Sequence, residues 1–146
     1  MKKILLTSAV AIAACFFAFT CSARDTVIKV KDLPKTAQTF LATHFSGIEV
    51  AVAVKDGHEY EIRLENGWEL DFDHKGQWET IDCNRDEVPA SVMATIPKEI
   101  VSYLKSNFEK AYVTEISKDL SGYEVELSNG LDVEFYPNGR FKRIDD

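Results

Sequence analysis

The sequence predicts an α+β protein built of two tandem αββββ repeats, with helices packed on one face of an antiparallel sheet and the other face exposed. Three observations carry this expectation. The chain matches itself when slid by 63 residues without a gap, with 16 of the 50 positions from 33 to 82 identical. Within each copy, helical apolar spacing gives way to strict alternation. Asn-Gly and other glycine turns fall at matched places in both copies.

Ahead of the repeats comes a leader. Lys2 and Lys3 precede an apolar run from Ile4 to about Phe19, and small residues at Cys21 and Ala23 offer a cleavage site before Arg24. This is the pattern of a secretory signal peptide over residues 1–23, so the mature chain is expected in the periplasm or secreted, with no membrane span. A rival reading is a lipoprotein box, Ile12 to Cys15; the apolar Phe16-Phe17-Ala18-Phe19 that comes after it disfavours that reading.

The first repeat is assigned to residues 24–83. Its helix opens at Pro34, placed where the missing N–H costs nothing, and carries Leu33, Ala37, Phe40, Leu41 and Phe45 on one stripe. A strand from Ile48 to Lys55 comes next. Tyr60, Ile62 and Leu64 then alternate with charged neighbours, as do Trp68, Leu70 and Phe72, and a fourth strand runs from Gln77 to Asp82. Register fixes the turns. A two-residue loop at Asn66-Gly67 would oppose Glu65 to Trp68, which lie on opposite faces, so the loop is Glu65-Asn66-Gly67. The same reasoning makes His74-Lys75-Gly76 a three-residue loop, with Phe72 opposite Trp78.

The connector and second repeat occupy residues 84–146. Val88-Pro89 and Val92-Met93 suggest a short helix within the connector, not a floppy linker. Ile96, Ile100, Tyr103, Leu104 and Phe108 repeat the helical stripe. Strands are expected from Ala111 to Lys118, around Tyr123 to Leu127, around Leu131 to Phe135, and from Arg140 to Asp145. Val113 and Ile116 break alternation, which points to a β-bulge. Pro137-Asn138-Gly139 is the counterpart of the first copy's second loop.

The doubled pattern resembles the PepSY-like proteins, related in fold to β-lactamase-inhibitor protein. Tyr60, Ile62, Leu64, Asn66, Gly67, Phe72, Gly76 and Trp78 carry the resemblance in the first copy. Tyr123, Val125, Leu127, Asn129, Gly130, Phe135, Gly139 and Phe141 carry it in the second. It spans essentially the whole mature chain and implies helices on one sheet face with a curved, uncovered opposite face able to grip a partner. These residues are turn and core positions, so they speak for fold more than function. The inhibitor's two disulfides have no counterpart here.

Charge and cysteines narrow the function. The chain has 17 basic and 24 acidic side chains, net −7, and loss of Lys2 and Lys3 takes the mature form to −9. Nucleic acid and anionic lipid would be repelled, whereas a basic protein surface or a cation is the natural partner. Only Cys83 survives the leader, so no internal disulfide forms, and a buried thiol is expected. No phosphate-cradling loop, nucleophile motif, cofactor motif or metal-type histidine spacing occurs, and no catalytic residue is assigned. Asp71, Asp73 and Gly76 faintly resemble a calcium loop, but Lys75 stands where a ligand is needed and the hairpin accounts for the glycine.

The acids on the exposed strand face are the candidate binding residues. Glu61, Asp71 and Glu79 are expected in one row across three strands, flanked by Glu59 and Asp73. The second copy places Glu124, Glu134 and Lys142 in the equivalent row, where the lysine relieves the repulsion. The expected function is a non-catalytic module that binds an envelope or secreted protein through this face and the hairpin loops. A cation- or small-ligand-binding module is the alternative.

Overall fold

A computed structural model describes residues 25–145. The predicted leader, with Cys15 and Cys21, lies outside these residues. Nine strands form one antiparallel sheet in sequence order, each paired with the next: β1 (Asp25–Ile28), β2 (Val50–Asp56), β3 (Glu59–Leu64), β4 (Glu69–Phe72), β5 (Trp78–Asp82), β6 (Val113–Asp119), β7 (Gly122–Leu127), β8 (Asp132–Phe135) and β9 (Phe141–Asp145). Three helices accompany them: α1 (Lys35–His44), α2 (Ala90–Met93) and α3 (Lys98–Asn107). A 3-10 turn spans Val30–Asp32.

The elements α1 and β2 to β5 recur as α3 and β6 to β9 with every boundary displaced by 63 residues. Within each half, the sequence order of the strands is a consequence of the short loops. Three-residue hairpin loops can only join neighbours. Leu64 N–H donates to Trp68 O and Gly67 N–H to Leu64 O, which closes the loop at Glu65-Asn66-Gly67. Asp73 and Gln77 close the next one in the same way, and Phe72 stands opposite Trp78. Gly67 and Gly76 both have positive φ, +86° and +78°, the left-handed position such a bulged turn demands.

The expected bulge in the first strand of the second half is present between Val113 and Glu115, and an identical irregularity lies between Val50 and Val52. Two positions differ from expectation at the helix starts. Pro34 and Pro97 are the residues before the helices, with extended ψ of 141° and 130°, not the first helical residues. Proline still suits the place, because it presents no N–H there. Strand β1 is an addition to the expected elements. Its four residues are too few for alternation to show, and they abut the leader's apolar pattern.

The core lies between helices and sheet. Ala37 and Leu41 of α1 and Ile100 and Leu104 of α3 are buried together with Ile62, Leu70, Ile81, Ile116, Val125 and Val133 of the strands. The Phe40 ring meets Phe72 edge-on at 5.8 Å and lies over Trp78 at 6.4 Å; Tyr103 repeats these contacts with Phe135 and Phe141 at 5.5 and 4.7 Å. Such aromatic pairs fix how the helix sits on the sheet. Cys83 is fully buried, as its residue type favours.

The two halves share one sheet. β5 pairs with β6 through Thr80 opposite Ser117, Ile81 opposite Ile116 and Asp82 opposite Glu115. This seam brings the acidic strands of the first half against those of the second.

Candidate functional site

Because side chains alternate, the residues between the core positions all point to the opposite face. Successive partners across the ladders there are Glu61, Asp71, Thr80, Ser117, Glu124, Glu134 and Arg143. A second row runs Arg63, Glu69, Asp82, Glu115, Glu126, Asp132 and Asp145. The middle of this face is a cleft of ≈ 310 Å³, whose lining includes Glu59, Glu61, Asp71, Glu79, Glu115 and Glu124.

Sequence reasoning places Glu61 opposite Asp71, and the structure does so. It also places Glu79 opposite Asp71, and here the structure differs. The ladder slips between Asp71 and Phe72, so Thr80 opposes Asp71 and Glu79 is the extra residue of a bulge. Three-residue loops set Phe72 against Trp78 correctly, but the bulge shifts the remainder of β5 by one position. Glu79 nevertheless lines the cleft, as does Glu59. Asp73 does not. Its Oδ1 accepts the N–H groups of Lys75 and Gln77 at 2.8 and 2.9 Å, so it closes the hairpin.

The same slip recurs in the second half and corrects the expected row there. Arg143, not Lys142, opposes Glu134, and Lys142 is the extra residue. Both reach it: Lys142 Nζ donates to Glu134 Oε2 at 2.7 Å, and the Arg143 guanidinium holds Oε1, with its Nε at 2.7 Å. The bulge thus aims two cations at one carboxylate. At the matched positions the first half has Glu79 and Thr80.

The electrostatic consequence is uneven. Burial pushes Asp71 up to about 7, with Glu61 the next largest influence, and its buried Oδ1 has no hydrogen-bond partner. Burial likewise raises Glu115 to about 8, helped by Asp82 across the seam. Glu61, Glu79, Glu124 and Glu126 are all raised, in each case by burial first and neighbouring acids second. Glu134 is the exception. Burial pushes it upward, but hydrogen bonds from Arg143 and Lys142 outweigh that and hold it low. Arg63 pairs with Glu69 at 2.8 Å, yet burial leaves Glu69 raised.

Glu115 is the residue that sequence reasoning misses. Its signal is the bulge itself: the extra residue at Thr114 reverses the alternation and turns Glu115 to the acidic face. The β5–β6 pairing then sets it beside Asp82, which no single-repeat reading could show. Among the described residues, no group of three or more His, Cys, Asp or Glu side chains is arranged to hold a metal ion.

Comparison with known proteins gives this architecture its family. The profile of the family described as "Putative beta-lactamase-inhibitor-like, PepSY-like" matches twice, over residues 20–77 and 67–143. The chain belongs to the PepSY-like family. The two overlapping matches are the tandem arrangement already visible in the 63-residue displacement. Among solved structures, this PepSY-like chain is similar to a "putative calcium-regulated periplasmic protein" from Bacteroides thetaiotaomicron, with 36% identity, TM-score 0.78, and coverage of 84% of this chain and 97% of the other. It is also similar to a periplasmic protein of unknown function from Bacteroides vulgatus, at 34% identity and TM-score 0.77, covering 84% and 99%. A periplasmic protein of the DUF2874 family from the same organism matches at 36% identity and TM-score 0.79, covering 86% and 99%. No curated protein matches the sequence. No helix among the described residues is long and apolar enough to cross a membrane.

Proposed function

We propose that this PepSY-like protein is an exported, non-catalytic binding module, and that its acidic sheet face takes a basic segment of another envelope or secreted protein. In this reading the two halves are copies of one αββββ unit whose helices cover a single sheet face. One observation carries it: Asp71, whose buried Oδ1 lacks a hydrogen-bond partner, faces Glu61, where the second half has neutralised the equivalent carboxylate. Crowding acids with few counter-charges, Lys118 and Lys142 in this cleft, costs stability, and a ligand that supplies more cations would recover it. The periplasmic neighbours and the leader pattern both support export.

A photo-crosslinking residue at Ser117, in the cleft wall, tests this in cells. The reading expects one envelope protein with a basic contact segment to be captured, and expects Glu61→Gln, Asp71→Asn and Glu79→Gln together to abolish that adduct. An adduct that survives the triple substitution contradicts it.

A second reading is favoured by the solved neighbour described as calcium-regulated. A divalent cation would satisfy the free Asp71 oxygen and offset Glu61. Calcium added alone should then raise the melting temperature, and the triple variant should lose the rise. A melting temperature indifferent to calcium removes this reading and leaves the first intact.

A further inference from the structure

Strand β1 occupies a place that the fold elsewhere gives to the last strand of a repeat. Val27 and Ile28 stand opposite Val54 and Ala53 of β2. At the internal seam, Thr80 and Ile81 stand opposite Ser117 and Ile116 of β6, and these β6 positions lie 63 residues after Val54 and Ala53. β1 therefore sits on β2 in the register that β5 takes on β6. Ile28 packs against the core as Ile81 does.

At the other end of the sheet the reverse holds. Ile144 of β9 is the counterpart of Ile81, yet it is 42% exposed where Ile81 is 0% exposed. The strand that covers Ile81 is β6, and nothing among the described residues lies beyond β9 in the sheet. An exposed edge with an apolar side chain is a template for another strand.

We propose that β1 is a cap that blocks head-to-tail assembly, and that the β2 edge beneath it is a docking site for β9 of a second copy of this chain. The internal β5–β6 seam shows the geometry of the junction. Its register would set Arg143, Ile144 and Asp145 of one copy opposite Val54, Ala53 and Val52 of the next. Ile144 would gain the cover that Ile81 has. The junction also avoids the seam's like charges, since Asp145 would face Val52 where Asp82 faces Glu115. Such a contact is heterologous and uses different edges on the two partners, so it extends to a ring of several copies or an open array, not a closed two-fold dimer. Four residues of β1 keep it from forming.

The test releases β1 in the mature chain, residues 24–146. Thr26→Pro removes a ladder donor and Ile28→Asp cannot pack on the core. Sedimentation velocity should show the unsubstituted chain monomeric from low to high micromolar concentration. The released variant should form oligomers that grow with concentration, with strand content rising alongside if it is unfolded when dilute. Adding Ile144→Lys, or an excess of a peptide spanning residues 24–29, should return it to smaller species. The proposal is overturned by a released variant that stays a folded monomer. It is equally overturned by one that is unfolded at every concentration, or by oligomers indifferent to Ile144→Lys.

Discussion

Asp71 stands directly opposite Glu61 in the β3–β4 ladder, while the same two positions 63 residues later, Glu124 and Glu134, have Lys142 and Arg143 bound to the second carboxylate. The ladder register is the same in both halves, bulge included. The two residues at the bulge differ: Glu79-Thr80 against Lys142-Arg143. Thr80 is buried against β6 and has no room for an arginine, so the transplant is Glu79→Lys alone, which should place a cation beside Asp71. We expect stabilisation of about 1 kcal/mol in chemical denaturation, the scale of a cross-strand charge pair, and loss of affinity for basic ligands.

The pH dependence of stability is led by Asp71 and Glu115, the two carboxyls raised furthest. Their carboxyls titrate near 3.8 and 4.5 in an unfolded chain and at about 7 and about 8 in the folded one. Between those values the folded state binds more protons, so stability falls as pH rises. It is full below about pH 4 and is lost progressively up to about pH 8, by several kcal/mol. Melting temperatures measured from pH 5 to pH 8.5 should fall steadily. Asp71→Asn and Glu115→Gln should each flatten the slope, and a melting temperature that rises over this range would show the acids to be paired.

Removing the cations from Glu134 should act on a carboxylate that is now held low. Lys142→Ala with Arg143→Ala leaves it without its hydrogen bonds. Its pKa should move up, and carboxyl chemical shifts measured by NMR would record the change. The stability loss should stay within about 1 kcal/mol, since both cations are partly exposed.

Cys83 should be inert. Burial first, then the charges of Asp82 and Asp86, push its thiol up to about 12. Thiolate is the reactive form, so a thiol reagent should label the native protein only as fast as it opens. Rapid labelling at neutral pH under native conditions would contradict the buried placement.

Two glycines hold helices against hairpins. A Cβ on Gly76 would lie 2.7 Å from Pro34 Cβ and 2.9 Å from Ala37 N, and one on Gly139 would lie 2.7 Å from Pro97 Cβ. Gly76→Ala should cost about 2–4 kcal/mol in urea unfolding, combining positive φ with a backbone clash. Gly67→Ala meets open space and should cost only the conformational part, about 1 kcal/mol.

Much of the fold is legible in the sequence because it is written twice. Asn66-Gly67 and Asn129-Gly130 fix hairpins by register, and the paired stripes of α1 and α3 announce helices. The features that escape sequence reasoning are those that depend on one residue of slip. The bulge at Glu79 and Lys142 carries the same apolar spacing of three that marks Val113 and Ile116, at Trp78 and Ile81 and again at Phe141 and Ile144, but strict alternation counted on from the hairpin loop passes over it. The seam is hidden too: Asp82 opposite Glu115 joins residues 33 apart through a connector whose path no local pattern specifies. Asp73 belongs to the acidic row by spacing alone. In the structure its carboxylate belongs to the turn.

Binding of a basic segment to the acidic face is tested most directly by one calorimetric titration. A lysine-rich peptide is titrated at pH 8 and low salt into the mature protein and into its Glu61→Gln, Asp71→Asn, Glu79→Gln variant. An acidic face that recruits cations predicts binding to the unsubstituted protein that weakens with salt and falls at least ~10-fold in the variant, a loss of about 1.4 kcal/mol. Equal affinity for both proteins would contradict it.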